Sequence, residues 1–559
     1  MCLAPAPSPY ILTHHGVVKE SSTSSPLRVV FNASELSDTN QSLNKSLLTG
    51  PKLQADIGTI ITNFRLHQIA MTCDFKQMYR AIRITPADCK YQNLFWRSDL
   101  TGPVQEWELQ RLTFGLSCSP YIAQRTLKQL VLDEGAKYPN AADILSSSCY
   151  IDDLVFGAPT ETSALKLYKE ITQLCSSGGF ELHKWSSSSS SVLTTIPADR
   201  RETPHPLGST HSIKVLGLEW DPTTDCFRYS ISPVNSTPTK RNVLSQVARV
   251  YDVNGFISPI IFTLKYLLQQ IWIEKLNWDD PLPQYLQNVW DKFIKELPLM
   301  TQFKIPRYIL SNYLTAQLIG FSDDSKIGMC ASLYLRIECE DKSVECNLLQ
   351  SKTKVAPLKT LTIPRLELCA ALFLSQLVKA NQPLINKLQI SDIFLFTDSM
   401  NVLGWLNTPP HLLETFVSNR VCKITEITPV DVWRHISGDE NPSDCGTRVK
   451  AVHLELVHSL STESCLAAID RFIARRGICR NIYSDQGRNF VGAARQLQEI
   501  YSLLKNSTSQ ISEHLAQREI IWNFNPPYAP NFGGLWEAAV KSTKHHLKRI
   551  LQNHNFTAE

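Results

Sequence analysis

The chain has 559 residues, enough for roughly three or four domains, each with its own core. A hydrophobic content of 43% and a charged content of 19% are those of globular protein and exclude a disordered or fibrous chain. The net charge is only +4, so nucleic-acid binding must come from local basic faces rather than a global field. In chain order, Leu27-Arg28-Val29-Val30-Phe31-Asn32 predicts a strand carrying a cation, Arg28. Asp74 ends an apolar run, and the aromatic Tyr79 follows five residues later. Phe114-Gly115-Leu116-Ser117-Cys118-Ser119-Pro120 opens a helix, with proline near its start. Cys149-Tyr150-Ile151-Asp152-Asp153-Leu154, with Val155, Phe156 and Gly157 behind it, reads as a hairpin that pushes two carboxylates out at a tight turn. An Asp-Asp pair alone is a common turn. With Asp74 it offers three hard oxygen ligands suited to Mg²⁺ or Mn²⁺, the set needed for two-metal nucleotidyl transfer.

Further along, Gly178-Gly179 predicts a turn, and the serines from Ser186 to Ser191 predict a loop. Ile257 to Ile273 is interrupted by Ser258-Pro259, Lys265 and Gln269-Gln270, so it reads as a buried helix rather than a membrane span. Trp272, Trp278 and Trp290 are expected in the core of that helical region. A second acid series begins with a strand ending in Asp323, then a strand from Met329 to Ile337. Pro364 starts a helix whose first turns hold Glu367. Asp398 ends a buried strand, and Asp444 stands at the head of a further helix. Beyond it, Ala451 to Val457 alternates as a strand, and Thr462 to Arg476 is an amphipathic helix capped by Gly477. Another strand ends in Asp485. After Asn525-Pro526-Pro527-Tyr528, a last helix carries Glu537, Lys541, Lys544 and Lys548, a carboxylate beside a basic track suited to phosphates.

From about Tyr10 to Leu310 the chain resembles the reverse transcriptase of Bel/Pao-type long-terminal-repeat retrotransposons. The resemblance lies in RVVFNAS, CDFKQMYRAI, LTFGLSCSPYIAQ, YIDDLVFG, GGFELHKW, KVLGLEW, TKRNVLSQVARVYDVNGFISPI and WDDPLP. It implies that Asp74, Asp152 and Asp153 are the polymerase acids and that Arg28 contacts the incoming triphosphate. Phe114 and Gly115 would line the nucleotide site, with Gly115 letting the backbone approach closely. Tyr79 would gate the sugar, because an aromatic ring beneath the ribose clashes with a 2′-hydroxyl. Asn32 stands where the family usually has Asp, at a position that carries no metal. Asp323, Glu367, Asp398 and Asp444 resemble the four carboxylates of a retroelement ribonuclease H, which hold two Mg²⁺ ions at an RNA phosphodiester. Asp323 rather than Asp324 matches the family's strand end. The 2′-hydroxyl marks the RNA strand of a hybrid, so recognition is expected at backbone and sugars.

Residues 449–559 resemble part of a retroelement integrase core, with Asp485 and Glu537 as the second and third members of its acid triad. The first Asp and a zinc domain should precede Ala451, but Asp444-Cys445-Gly446-Thr447-Arg448 runs directly into Val449. Two acids without the third cannot set both metals, which predicts an integrase segment unable to join DNA. The chain stops at Glu559, so a C-terminal DNA-binding module is not expected, nor is an aspartic protease without Asp-[Ser/Thr]-Gly.

Fifteen scattered cysteines suggest reduced thiols, and the start CLAPAPSP lacks the pattern of a signal peptide. No zinc site is expected. The resulting expectation is an α/β (α+β) multidomain chain. Fingers and palm span 1–235, a thumb or connection 236–314, a ribonuclease H-like domain 315–448 and a partial integrase core 449–559. It would act intracellularly, in cytoplasmic virus-like particles and the nucleus, on RNA template, DNA primer, RNA/DNA hybrid, dNTPs and target DNA, with no membrane partner. The alternative is a decayed or domesticated relic that binds nucleic acid without catalysis.

Overall fold

A strand buried along nearly its whole length must be central and covered on both faces. Ile69–Phe75 is such a strand, and the fold is arranged around it. The computed structural model describes residues 1–447 except 19–26, 38, 98, 100, 203–204, 208–209, 230–236 and 391. Beyond those it describes 461–463, 465–469, 481–484, 495 and 521–524.

The chain opens with an antiparallel hairpin, β1 (Thr13–Val18) and β2 (Leu27–Asn32). The helix α1 (Ile57–Phe64) leads into β3 (Ile69–Phe75), and then come α2 (Ser119–Glu134), β4 (Cys149–Tyr150) and β5 (Asp153–Ala158). The helix α3 (Glu161–Ser177) and β6 (Leu182–Ser187) complete an antiparallel sheet ordered β4-β5-β3-β6. Its two faces follow the strand alternation. Met71, Cys73, Leu154 and Phe156 pack with Leu127 of α2, Ile171 of α3 and Trp185. Ala70 and Val155 turn the other way, onto Ile60, Ile61 and Phe64 of α1 and onto Trp220 and Phe227. Thr160 and Ser163 form a reciprocal cap at the start of α3. The predicted glycine turn ends it, with Gly179 at φ +75.

A second antiparallel sheet, β7 (His205–Leu207), β8 (Thr210–Val215), β9 (Leu218–Asp221), β10 (Cys226–Arg228) and β11 (Lys304–Pro306), supplies Trp220 and Phe227. Between β10 and β11 the chain makes a helical layer that includes α4 (Ser258–Ile273) and α5 (Gln284–Glu296). Leu264, Leu267 and Ile271 meet Leu286 and Trp290 there. No helix among the described residues is long and apolar enough to cross a membrane.

The third sheet is mixed, ordered β14-β13-β12-β15-β16. An antiparallel meander of β12 (Tyr313–Ser325), β13 (Gly328–Cys339) and β14 (Val344–Val355) is joined by β15 (Asp392–Thr397), parallel to β12, and β16 (Trp433–His435). The helix α6 (Ile363–Ala380) lays Leu368, Ala371 and Leu374 onto Leu318, Leu333 and Leu335. The helices α7 (Met400–Leu406) and α8 (Thr415–Thr425) close the same core.

Three expectations need correction. The serine run is not a loop: Ser186 and Ser187 belong to β6, and Ser189 caps a short helix, Ser190–Thr195, by accepting from the Val192 amide. Polar residues suffice there because Ser187 Oγ donates to the Ala70 carbonyl at 2.8 Å. Trp290 is buried, but Trp272 and Trp278 are 52% and 43% exposed. They meet edge to face at 5.8 Å, and the buried Lys240 ammonium lies 3.4 Å from the Trp272 ring centre, a cation–π contact in place of a core. Asp444 does not head an α-helix within the described residues but sits in a 3₁₀ turn, Pro442–Gly446. Every cysteine among the described residues is a free thiol.

Candidate active sites

Across β3 and β5, Asp74 and Asp153 are direct partners. Tyr150 pairs with Asp153, so Ile151 and Asp152 form a two-residue turn between β4 and β5. Such turns need positive φ, and Ile151 adopts φ +57, which costs a β-branched residue roughly 1–3 kcal/mol. Gln124 on α2 holds the turn by donating to the Ile151 carbonyl at 3.1 Å, and the Phe75 amide donates to the Asp152 carbonyl at 2.8 Å. The three predicted acids therefore converge. Burial, then Asp152 and Asp74, push Asp153 up to about 7. Burial also raises Asp152, with Asp74 adding to the effect. Lys184 on β6 donates to Asp74 Oδ2. Among the described residues no three acid, His or Cys side chains stand close enough to hold a metal as placed. The donor set nevertheless fits a hard divalent cation. It consists of carboxylates, of which Asp152 and Asp153 are raised by burial and then by their acid neighbours, and Asp74 already holds a cationic group.

Tyr79 is half-buried, and its phenol is raised by burial and by Asp152, which places the ring beside the acids. Phe114 lies 5.3 Å from Phe31, three residues after Arg28 on β2. Gly115 has φ +95, and a Cβ there would stand 2.5 Å from the Phe31 carbonyl oxygen. The close approach that requires glycine is thus to the hairpin backbone. Asn44, not foreseen from the sequence, ties this corner by donating to the Gly115 carbonyl at 3.0 Å and accepting from the Ser117 amide at 2.8 Å. Arg28 is exposed on β2. Asn32 serves the turn after β2, donating to Glu35 at 2.6 Å and accepting from the Ser34 amide.

The second acid group forms where parallel strands end together. Ser322 pairs with Thr397, so the next residues, Asp323 and Asp398, follow at the same edge. Ser399 caps α7 and also donates to Glu367 Oε2 near the start of α6. Burial raises the Glu367 carboxyl and Asp398 adds to the effect, against the Ser399 hydrogen bond. Asp444 is brought in by a strap: Asn441 donates to the Ser322 carbonyl at 2.8 Å and Ser443 to the Phe321 carbonyl at 3.0 Å. Thr447 Oγ1 donates to Asp323 Oδ2 at 2.5 Å. Asp323, 3% exposed, is bonded to this strap. Lys184, Ser399 and Thr447 were missed because an isolated Lys, Ser or Thr carries no spacing signal.

Asp485, Glu537, Lys541, Lys544 and Lys548 lie outside the described residues, as does the strand expected at 451–457. Asn481–Ser484, immediately before Asp485, is a strand parallel to Ile521–Phe524.

Residues 29–220 match the reverse transcriptase (RNA-dependent DNA polymerase) family, and residues 239–399 match the Pao retrotransposon-like RNaseH-like domain. No curated protein matches the chain. Among solved structures, the foamy viral protease-reverse transcriptase in complex with RNA/DNA hybrid aligns with a TM-score of 0.53 at 13% identity, covering 95% of this chain and 73% of that one. The foamy viral protease-reverse transcriptase dRH in complex with ds DNA aligns at 0.50 and 15% identity, covering 81% and 68%. At such identity the likeness is one of fold. The two family matches, in this order on one chain, define an RNA-directed DNA polymerase with a ribonuclease H. The second of them is of the Pao retrotransposon kind, and the two matches together are consistent with a fragment of a Bel/Pao-type Pol.

Proposed function

We propose that the chain copies RNA into DNA at Asp74, Asp152 and Asp153 and removes the copied RNA at Asp323, Glu367, Asp398 and Asp444. The observation that carries this reading is the crowding of acids at the β4–β5 turn, with Asp153 pushed up to about 7 by burial and its neighbours. Each group would hold two Mg²⁺ or Mn²⁺ ions, which when bound supply Lewis-acid activation of the attacking oxygen and stabilise the leaving one. The residues do the rest. The strained turn presents Asp152 beside Asp74, Tyr79 stands by them as a steric gate for the sugar, and Phe114 and Gly115 shape the nucleotide corner with Arg28 for the triphosphate. In the second site Ser399 orients Glu367, and Thr447 orients Asp323. Template RNA, DNA primer, their hybrid and dNTPs are the partners this chemistry requires, and the complexes of the foamy viral enzyme with ds DNA and hybrid support them. We assign fingers and palm to 1–235, thumb or connection to 236–314, ribonuclease H to 315–448 and a catalytically inert integrase remnant to 449–559.

Primer extension on an RNA template with Mg²⁺ or Mn²⁺, beside Asp152→Asn, tests the reading. Metal-dependent synthesis lost in the variant supports it. A folded wild-type chain that binds hybrid and extends nothing would establish a relic that binds without catalysis.

A further inference from the structure

Lys184 reaches the polymerase acids through a local irregularity of the sheet. Asp74 on β3 stands opposite His183 on β6, and Thr72 stands opposite Ser186. Between those pairs the single residue Cys73 faces two, Lys184 and Trp185, which makes a β-bulge. Trp185 is 1% exposed and fills the core beneath the sheet. Lys184 adopts φ +51, a left-handed backbone that residues with a Cβ rarely take, and its ammonium is delivered to Asp74 Oδ2. Bulges beside active sites re-aim a side chain in this way. Burial works against the charge on Lys184, but the bond to Asp74 and the charges of Asp74, Glu202 and Asp153 outweigh it. Glu202 is held next to the bulge, its amide donating to the Trp185 carbonyl at 2.9 Å. A cavity of about 150 Å³ opens beside these groups, lined by Asp74, Asp153, Lys184, Glu202 and Lys214. The Lys184 side chain is 59% exposed and that of Asp74 16%, so the lysine has room to turn while the acid stays fixed on its strand.

We propose that Lys184 is a resident counter-ion of the polymerase site, holding Asp74 Oδ2 while no divalent cation is bound and turning to Glu202 when one arrives. The proposal rests on the function proposed above, in which Asp74 is a metal ligand. An ammonium and a divalent cation repel each other across one carboxylate oxygen, so binding of the second is favoured when the first moves away. Glu202, which lines the same cavity and belongs to neither acid group, is the acceptor to which Lys184 turns. The exchange neutralises the acids in the free protein and weakens their hold on metal.

The test is Mn²⁺ binding to the full chain, followed by calorimetry, with Glu367→Gln and Asp398→Asn in every protein to disarm the second acid group. Lys184→Met should bind Mn²⁺ roughly three- to fivefold more tightly than this parent, the size of one half-exposed ion pair. Lys214→Met, which removes a charge lining the same cavity from β8 opposite Glu219, should stay within about twofold of the parent. Without metal, Lys184→Met should melt at a lower temperature than the parent, and Mn²⁺ should raise it by the larger amount. Glu202→Gln should weaken Mn²⁺ binding by more in the parent than in the Lys184→Met protein. Equal tightening by the two lysine substitutions, or none from Lys184→Met, overturns the proposal. If Lys184→Met does not fold, Lys184→Gln, which keeps a hydrogen-bonding side chain without the charge, decides on the same readings. Primer extension by the chain without the two added substitutions separates this proposal from the functional reading. Tighter Mn²⁺ binding by Lys184→Met in a chain that extends nothing supports the exchange and leaves a relic. Equal binding in a chain that extends primers overturns the exchange alone, and no Mn²⁺ in either protein overturns both.

Discussion

Removing the counter-charge of Arg307 is the most exacting test of how the segment after β11 is held to the palm. Arg307 is fully buried, and all of its N–H groups are used. Nε and Nη2 donate to Asp225 at 2.6 Å each, Nη1 donates to the Phe64 and His67 carbonyls at 2.6 Å, and Nη2 also reaches the Gln68 carbonyl at 3.0 Å. Asp225→Asn preserves shape, and Asn tolerates the φ of +49 at this position, so the change removes the charge and turns one of the two acceptor oxygens into a donor. Breaking a buried pair by removing one partner costs about 3–5 kcal/mol; with the Asp225 side chain 27% exposed, the lower figure of about 3 kcal/mol applies. For a cooperative unit of some 150–250 residues that lowers the melting temperature by roughly 6–12 °C. Arg307→Met should cost more, because it strands three buried carbonyls at about 1–3 kcal/mol each. The assay is calorimetry of the full chain, reading the transition that contains the palm. A shift below about 2 °C for Asp225→Asn, or a milder effect from Arg307→Met, would refute the reasoning.

Other outcomes follow from the same geometry. Asp152→Asn should abolish primer extension while leaving the melting temperature unchanged or higher, since it removes a charge that repels Asp153. Glu367→Gln should abolish RNA cleavage and spare extension, as read on one labelled hybrid; loss of both activities would contradict two separate sites. His67 is held down to about 4 from 6.5 by burial, then by Lys387 and Arg307. Its contribution is therefore fully present above pH 6.5 and lost as pH falls through about 4. A depression of that size is worth about 3 kcal/mol, and His67→Gln should flatten the acid limb of a stability–pH curve by that order. Gly115→Ala forces a Cβ against the Phe31 carbonyl, so it should destabilise the chain by roughly 1–3 kcal/mol and raise the KM for dNTPs.

Much of both acid groups was legible from the chain alone. An acid that ends an apolar run tends to fall where a buried strand ends, which placed Asp74 and Asp398 at strand ends, whereas Asp323 lies two residues inside the end of β12 and is buried. Turn chemistry and a two-residue period did the same for Asp152 and Asp153, and proline-led helical spacing for Glu367. These are local rules, decided by a few residues of backbone. What supports the acids was not legible. Lys184 on Asp74, Gln124 on the Ile151 carbonyl, Ser399 on Glu367 and Thr447 on Asp323 are joined by contacts across the fold. Local composition also misled where tertiary packing prevailed, as in the serines of β6 and the exposed Trp272–Trp278 pair around Lys240. The long-range contacts of Arg65, Asn254 and Arg307 were invisible for the same reason. Their partners lie far along the chain, and each residue by itself is an ordinary polar one. The sequence determined which chemistry this protein carries, because that depends on residue type and short spacing. Only the tertiary structure decided how the two chemistries are held relative to each other, because burial and long-range hydrogen bonds exist only once the chain has folded.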